Sequence, residues 1–255
     1  MTSEQMVSRL LYRDGLMLIL DKPAGLSVHA GPINSANRRE SVEDHFDALR
    51  FGLPRPPALA HRLDRDTSGC LVLGRHHKAL AELGKLFRNG AIGKTYWAIV
   101  DGAPETDEGV IEMPLGRLDA RRGWWMKHDP QGRPAVTKWT VRGKTAAMSW
   151  LALEPLTGRT HQLRVHCAEM GWPIRGDAVY GNAPRNGGPI LHLHAREIVV
   201  PLYKNREPIH VRAPVPPHMR EALTKCGWSE AEGQAESGAL INSRDAAAGT
   251  SKSTA

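Results

Sequence analysis

Short apolar segments bounded by turn residues are the feature that most constrains the fold of this 255-residue chain. The clearest are 16–20 (LMLIL), 70–74 (CLVLG), 94–102 (KTYWAIVDG), 148–155 (MSWLALEP) and 191–200 (LHLHAREIVV). Runs of this length and composition are typical of β-strands. Because no regular helical crossovers separate them, as they would in a parallel α/β sheet, we predict an α+β fold with a large mixed, mainly antiparallel sheet.

Three segments predict helices that flank this sheet. The first, 41–50, has Ser41 as a suitable N-cap and two acidic residues in its first turn. The second, 77–89, places its leucines on one face. In the third, 160–171, we expect Thr160 to cap the helix and a glycine to end it.

The net charge indicates a polyanionic partner. The chain carries a formal charge of +7, and the net-acidic segment 231–255 leaves +8 on the remainder. A basic folded body is typical first of nucleic-acid binding and second of binding to anionic membranes. A basic enzyme without such a partner has the same composition, so charge alone leaves both interpretations open.

The chain divides into one folded domain and a tail. No aromatic residue follows Trp228, and the last residues are rich in Ala, Gly, Ser and Thr. Such a segment cannot bury enough apolar surface to order itself. We therefore expect a single domain over 1–228 and a disordered tail over 229–255.

The cysteines and the N-terminus indicate a cytoplasmic protein. Cys70, Cys167 and Cys226 are widely spaced among apolar neighbours, which favours buried thiols over disulfides or a zinc site. The segment 16–20 is too short to span a membrane, and no signal-peptide pattern precedes it. We expect a reducing compartment and no membrane partner.

The first charged cluster is 61–69 (HRLDRDTSG), directly before a predicted strand. Asp64 lies between Arg62 and Arg65, and the opposite charges favour its ionised form. An ionised Asp can act as a nucleophile, a base or an electrostatic stabiliser. Asp66 precedes Thr-Ser-Gly and is typical of a turn. A salt-bridged loop without catalytic function is the alternative interpretation.

The second cluster is 93–100 (GKTYWAIV). It is not a phosphate-binding P-loop, because Arg88 stands where that motif needs a glycine and no strand precedes it. Tyr96 could stack on a base beside a cleft or pack in the core. The segment alone leaves both possibilities open.

The third cluster is 158–181 (GRTHQLRVHCAEMGWPIRGDAVYG). Arg159, His161 and Arg164 lie near a predicted helix N-terminus, a combination suited to phosphate or carboxylate. The two arginines are five positions apart and point in different directions, so one could face substrate and the other a buried acid. The histidines lack the spacing of a metal site, so we expect no metal.

The segment 116–133 mixes basic residues with Trp124 and Trp125. Cationic and aromatic side chains together are typical of RNA contacts. A hairpin with one tryptophan packed inward explains the same composition, and the two interpretations remain equal.

Taken together, the three clusters resemble the motifs of the RluA-type pseudouridine synthase family. HRLDRDTSG resembles the family's catalytic motif, KTYWAIV its Lys-x-Tyr motif, and GRTHQLRVH with GDAVYG its third motif. LDKPAGLSVH and LHLHA fit the same order, so the resemblance extends from Leu18 to Pro214. It implies a pseudouridine synthase fold, with the sheet in two halves and the active site in a central cleft.

The resemblance also implies roles for individual residues. Asp64 becomes the catalytic aspartate, Tyr96 the aromatic packed against the target base, and Arg164 the basic partner of the catalytic carboxylate. The predicted RNA and substrate contacts are Arg62, which would fill the gap left by a flipped base, and Arg65, Leu163, Arg159, Thr160, His161 and Gln162. Isomerisation of uridine adds no group and no electron, so we expect no cofactor. The implied partner is transfer RNA or large-subunit ribosomal RNA, bound by a monomer.

Two other functions compete with this prediction. The letters DRDTS resemble a haloacid-dehalogenase-type phosphotransferase motif, although there the apolar strand should precede the motif, not follow it. A catalytically silent RNA-binding protein would explain the charge.

Arg175 stands where relatives usually have an apolar residue, which implies altered packing or a further phosphate contact.

Overall fold

The computed structural model describes residues 1–30, 40–119 and 125–230. The helices, in chain order, are α1 (Ser3–Ser8), a 3-10 helix (Val42–Leu49), α2 (His77–Arg88), α3 (Gln162–Glu169) and α4 (Pro217–Lys225). The strands are β1 (Leu10–Arg13), β2 (Met17–Lys22), β3 (Ala58–Leu59), β4 (Ser68–Gly74), β5 (Gly93–Asp101), β6 (Glu108–Glu112), β7 (Leu115–Arg117), β8 (Met126–His128), β9 (Val136–Lys144), β10 (Met148–Pro155), β11 (Leu193–Val200) and β12 (Ile209–Arg212).

Ten of these strands form one sheet in the order β1-β2-β4-β11-β5-β10-β9-β6, with β3 paired to β4 and β12 paired to β11. The β7 and β8 strands form a separate hairpin. Among the strand pairs of the described residues, only β4 and β11 run parallel. The predicted α+β fold with a mixed, mainly antiparallel sheet is confirmed.

The β11 strand joins two halves of the sheet at one point. On one side His194 and Ala195 pair in parallel with Ser68 and Gly69 of β4. On the other side Ala195 pairs with Tyr96 of β5. Gly69 has φ 103°, and a Cβ atom there would overlap the carbonyl group of Ala195. Only glycine therefore fits this junction, and the two sequence clusters that contain Asp64 and Tyr96 meet here.

Helices cover both faces of the first half of the sheet. Leu18 and Leu20 of β2 face a core that includes residues of α1 and the 3-10 helix. Met17 and Ile19 face the opposite way, toward Leu83 of α2. The alternation of side chains along a strand explains why β2 is apolar throughout.

The second half is covered in the same way. Leu151 of β10 packs in one core with Leu163 of α3. Ile99 of β5 faces the opposite core, which contains Leu223 of α4. The burial of Leu163 and of its helix against the sheet fixes part of the floor of the cavity described below.

Three further predictions can be compared with the structure. All three cysteines are free and buried, as predicted. No helix among the described ranges has the length and apolarity to cross a membrane. The predicted tail falls mainly on 231–255, which lies outside the described residues.

Candidate active site

A cavity of about 520 Å³ opens where the two halves of the sheet meet. This volume is in the range of small-molecule pockets. Its described lining comes from the loop before β4, the end of α2 with β5, the segment from the end of β10 into α3, and Leu193. The lining residues are His61, Arg62, Leu63, Asp64, Thr67, Phe87, Arg88, Gly90, Lys94, Tyr96, Leu193 and residues 155–164.

Asp64 lies on the loop before β4, with 17% of its side chain exposed. The amide of Thr67 donates to the carbonyl oxygen of Asp64 at 3.2 Å, which closes a turn. Thr67 and Ser68 are buried directly after it. The turn therefore presents the carboxylate to the cavity from a rigid strand entrance.

Lys22 stabilises the loop that carries Asp64. Its Nζ atom donates to the carbonyl oxygens of Pro23, Leu26 and Arg65, each at 2.8 Å. Burial lowers the pKa of Lys22 to about 7, against the attraction of Asp66 and Asp64. Lys22 was not predicted as a site residue, because its only signal in the sequence is a lysine at the end of an apolar strand.

Arg164 forms a buried ion pair with Asp177. Its Nε and one terminal nitrogen donate to the two carboxylate oxygens at 2.7 and 2.8 Å. The amides of Val179 and Tyr180 also donate to Asp177 Oδ1. Burial alone would raise the pKa of Asp177, but Arg164 and these amides hold it below its usual value. The buried acid predicted for one arginine of this cluster is thus Asp177.

The second face of Arg164 approaches Asp64. Its Nη1 atom lies 3.8 Å from Asp64 Oδ2. Burial would lower the pKa of Arg164, but Asp177 and Asp64 raise it. The guanidinium is therefore a fixed positive charge, held by one carboxylate and facing another.

His161 faces the same carboxylate. Its Nε2 atom lies 3.7 Å from Asp64 Oδ2, and its Nδ1 atom lies 2.7 Å from the hydroxyl of Tyr180. Burial lowers the pKa of His161, which disfavours the charged form. Tyr180 was quoted in the third motif but not predicted as a site residue.

The prediction that Thr160 caps α3 is wrong. The helix begins at Gln162, and the residue before it, His161, has left-handed backbone angles of φ 53° and ψ 17°. The Gln162 side chain accepts from Thr157 Oγ1 and from the amide of Arg159, at 2.7 and 3.0 Å. These bonds hold the loop in a shape that a helix cap at Thr160 would not allow.

Gln162 is itself buried and also donates to the carbonyl of Val136 and to Thr137 Oγ1, both at 3.0 Å. All of these bonds stay within the protein, which favours a structural role. Its predicted RNA contact stays a prediction.

The floor of the cavity is apolar. Tyr96 and Leu193 come from adjacent strands, and Leu163 comes from α3 with 7% exposure. Burial raises the pKa of Tyr96 well above its ordinary value, with the charge of Asp64 adding to the effect. The phenol is therefore neutral, and its ring and the leucines can pack against a flat base.

The other predicted contacts are distributed around the cavity mouth. Arg62 is exposed and lines it. Arg159 and Thr160 also line it, although Arg159 Nε donates to the carbonyl of Pro134 at 3.0 Å. Arg65 pairs instead with its neighbour Asp66, at 2.9 and 3.0 Å, and is absent from the described lining. Asp66, its partner, is likewise absent from the described lining of the cavity.

The remaining candidates lie away from the cavity. Within the described ranges no group of three His, Cys, Asp or Glu side chains could hold a metal ion. Arg175 lies 3.7 Å from Asp101 in a half-exposed ion pair. The Arg185 guanidinium lies over the ring of Trp125, 5.4 Å from its centroid. Trp124 lies outside the described residues.

These positions define what the site can do chemically. A partly exposed carboxylate, Asp64, faces a cavity that has an apolar floor and a cationic wall. Such a carboxylate can attack carbon or accept a proton. Two basic side chains, His161 and Arg164, face one of its oxygens at 3.7 and 3.8 Å.

Comparisons with known proteins agree with this architecture. The family model described as RNA pseudouridylate synthase matches residues 16–169. An RNA pseudouridine synthase of Zymomonas mobilis is 41% identical over 225 residues, covering 88% of this chain and 99% of the relative. A ribosomal large subunit pseudouridine synthase C of Vibrio cholerae is 34% identical, covering 85% of this chain and 68% of the relative.

A solved structure shows the same fold. The human protein named RNA pseudouridylate synthase domain containing 4 superimposes with a TM-score of 0.72 at 26% identity, covering 88% of this chain and 95% of that one. The matched family model includes both the Asp64 loop and α3. The chain therefore belongs to the RluA-type RNA pseudouridine synthases, a family of isomerases.

Proposed function

We propose that this protein isomerises specific uridines in structured RNA to pseudouridine, with Asp64 as the catalytic carboxylate. The preferred substrates are stem-loops of transfer RNA or large-subunit ribosomal RNA. The Vibrio cholerae relative is named for the large ribosomal subunit. We further propose that the catalytic domain spans 1–228 and acts as a monomer in the cytoplasm.

The observation that carries this proposal is the position of Asp64. Its Oδ2 atom faces Arg164 and His161, while the cavity beside it has a floor of Tyr96 and Leu163. A carboxylate for the ribose or base and an apolar floor for detached uracil thus occupy one enclosure. The reaction needs both.

The chemistry is internally balanced. The N1–C1′ bond breaks, the uracil turns, and a C5–C1′ bond forms, while the C5 proton is lost and N1 gains one. No oxidant, reductant or added group is required. A carboxylate such as Asp64 can attack C1′, attack the ring or remove the C2′ proton.

The target base has to leave its stack to reach Asp64. Enzymes that act on bases pay the cost of flipping and then hold the base by stacking and hydrogen bonds. Tyr96 offers the stacking surface, and the exposed Arg62 at the mouth can occupy the vacated space. Arg88, Lys94 and Arg159 add positive charge along the lining for phosphates.

The proposal is tested by mapping pseudouridine in RNA from cells with and without the gene, followed by assay of purified protein on the RNAs that differ. Asp64→Asn keeps the shape and removes the charge. We expect turnover to fall by about 10³-fold or more, with RNA affinity changed by less than about 3-fold. Substantial turnover by this variant would exclude Asp64 as the catalytic group.

The two competing functions predict different results. A magnesium-dependent phosphotransferase would form no pseudouridine, and the strand β4 follows the DRDTS letters, contrary to that motif's pattern. A silent RNA-binding protein would bind RNA without changing it. Pseudouridine formation in the presence of a magnesium chelator would exclude both.

A further inference from the structure

The His161–Tyr180 contact is not explained by the roles proposed above. His161 has a positive φ, which is uncommon for a residue other than glycine and costs conformational energy. The bonds of Gln162 to Thr157 and Arg159 keep the backbone in this shape. This backbone conformation sets the direction in which the His161 imidazole points.

The hydrogen bonds around Tyr180 assign the proton on His161. The amide of Met126 in β8 donates to the Tyr180 hydroxyl oxygen at 2.9 Å. The hydroxyl has one proton of its own, and His161 Nδ1, at 2.7 Å, is the acceptor within its reach among the described residues. Nδ1 then accepts, so a neutral imidazole carries its hydrogen on Nε2.

That Nε2–H faces Asp64. Nε2 lies 3.7 Å from Oδ2, and the two side chains are 8% and 17% exposed. Arg164 Nη1 approaches the same oxygen at 3.8 Å. Within the described residues no hydrogen bond or ion pair reaches Oδ1 of Asp64. The two oxygens are therefore not equivalent.

We propose that Tyr180 fixes His161 as the Nε2–H tautomer, and that this N–H holds Oδ2 of Asp64 so that Oδ1 meets the substrate. His161 is thereby a positioning residue, and Tyr180 acts through it. The inference rests on the proposed function of Asp64. It extends that function by assigning a hydrogen-bonded chain from the β8 backbone to the reacting carboxylate.

The surrounding charges are consistent with a neutral donor. Asp64 and Asp177 favour protonation of His161, whereas Arg164 and Arg62 oppose it. Burial has the largest effect and lowers the pKa of the imidazole. A neutral imidazole orients the carboxylate and leaves its negative charge intact, whereas a protonated histidine would neutralise that charge.

The observed 3.7 Å separation is longer than a formed hydrogen bond. Such contacts are often long in a free enzyme and tighten when substrate excludes water. In the apolar enclosure over Tyr96, a shortened bond to Oδ2 is stronger than it would be in water. Substrate binding would therefore complete the positioning.

The first test reads the tautomer directly, without activity. In ¹⁵N-labelled protein near neutral pH, the His161 ring should show a protonated Nε2 and an unprotonated Nδ1. In Tyr180→Phe the Nδ1 acceptor loses its donor, so a mixture of tautomers should appear. A dominant Nδ1–H form in the wild type would overturn the proposal.

The second test uses kinetics with a matched control. Tyr180→Phe should lower kcat by about 10-fold with KM within about 2-fold, because the ground-state contacts with RNA are kept. It should also move the acid limb of the kcat profile to higher pH, since Nδ1 becomes free to accept a proton. Tyr203→Phe removes a hydroxyl that bonds Asp14 at 2.7 Å outside the cavity, and should change neither.

The third variant is His161→Asn, chosen because asparagine tolerates the left-handed backbone. It should reduce kcat by at least as much as Tyr180→Phe, and the double variant should add little, because both act on one chain. If an active Tyr180→Phe variant keeps the wild-type kcat and the wild-type acid limb, the role of Tyr180 is refuted, but the proposed function of the protein is not. Absence of pseudouridine formation by the wild type would refute the proposed function, while the tautomer measurement would still decide the Tyr180–His161 geometry.

Discussion

Two arginine–aspartate pairs lie near Asp64 and make hydrogen bonds of similar length, but one pair is buried and the other is exposed. Arg164 and Asp177 make bonds of 2.7 and 2.8 Å, with 7% and 1% of their side chains exposed. Arg65 and Asp66 make bonds of 2.9 and 3.0 Å, with 48% and 36% exposed. The comparison shows that a two-bond contact says little about function until its burial is known.

The buried pair positions a charge inside the site. Because Arg164 is fixed by Asp177, its remaining edge can face Asp64 without moving. The exposed pair acts at the surface, where water competes for both partners. We infer that one pair orders the site and the other is available to exchange its aspartate for an RNA phosphate.

Breaking the buried pair should give the largest effect on stability. Arg164→Met leaves Asp177 buried without its partner, which costs about 3–5 kcal/mol in free energy of unfolding. Turnover should fall as well, because Asp64 loses a charge that faces it. Urea unfolding and single-turnover assays measure the two effects.

Asp177→Asn is the control for this first prediction. It keeps the size of the partner and removes its charge, and in combination with Arg164→Met its cost should not add. Wild-type melting temperature and rate in Arg164→Met would contradict the role assigned to the pair.

Lys22→Met should have the next largest effect. It removes three hydrogen bonds to backbone carbonyls, including that of Arg65, and should destabilise the protein by about 2 kcal/mol. Since Arg65 immediately follows Asp64, kcat should fall more than fold stability alone explains. Lys85→Met, which breaks an exposed contact with Glu82, is the matched control and should leave both quantities unchanged. Equal results for the two variants would contradict the support role of Lys22.

The loss of stability on acidification should begin at a higher pH for two buried histidines than for the Arg164–Asp177 pair. Burial lowers the pKa of His61 and of His194 from 6.5 to about 3. Between these values the unfolded chain binds protons that the folded protein does not, so stability falls as the pH is lowered, by about 1 kcal/mol per pH unit for each histidine. Asp177, with its pKa below 3.8, contributes stability that is lost only under more acidic conditions.

Urea titrations between about pH 7 and about pH 5 measure this slope. The wild-type protein should show this slope, because the two histidines bind protons there in the unfolded chain, whereas the intact Arg164–Asp177 pair does not titrate in this range. A flat profile would show that the histidines are not held neutral.

Removing the exposed pair should give the smallest effect on stability. Arg65→Ala should change the free energy of unfolding by less than about 1 kcal/mol. If Arg65 contacts a phosphate, the slope of log affinity against log salt should decrease by about 1. Asp66→Asn breaks the same pair but keeps the cation, so RNA affinity should be unchanged or higher. Equal losses of affinity in both variants would contradict a phosphate contact.

The sequence predicted the elements whose pattern is local. The predicted strands 70–74 and 148–155 lie within β4 and β10, and the predicted helix 77–89 matches α2, because all three follow from apolar runs and their spacing. The helix α4 was missed, although Pro217 at its start and the spacing of Met219, Ala222 and Leu223 are a signal for it.

The site was predictable only in part because its remaining contacts are distant in sequence. A buried acid for one arginine could be expected, but nothing local identifies Asp177. The start of α3 was misplaced since the bonds that the Gln162 side chain accepts from Thr157 and Arg159 override the preference of Thr160 for a cap. Lys22 was overlooked because lysine is rarely buried, and its three acceptors come from two separate loops.

The junction of Ala195 with Gly69 and Tyr96 has a consequence for the order in which the protein is made. Ser68 and His194 are 126 positions apart and bond side chain to side chain at 2.9 Å. The halves of the sheet cannot join until β11 has been synthesised, even though Asp64, Tyr96 and Arg164 all precede it. Closing so long a loop is slow. A nascent chain therefore carries every residue proposed for catalysis before it has an active site, so RNA modification must wait until β11 has been made.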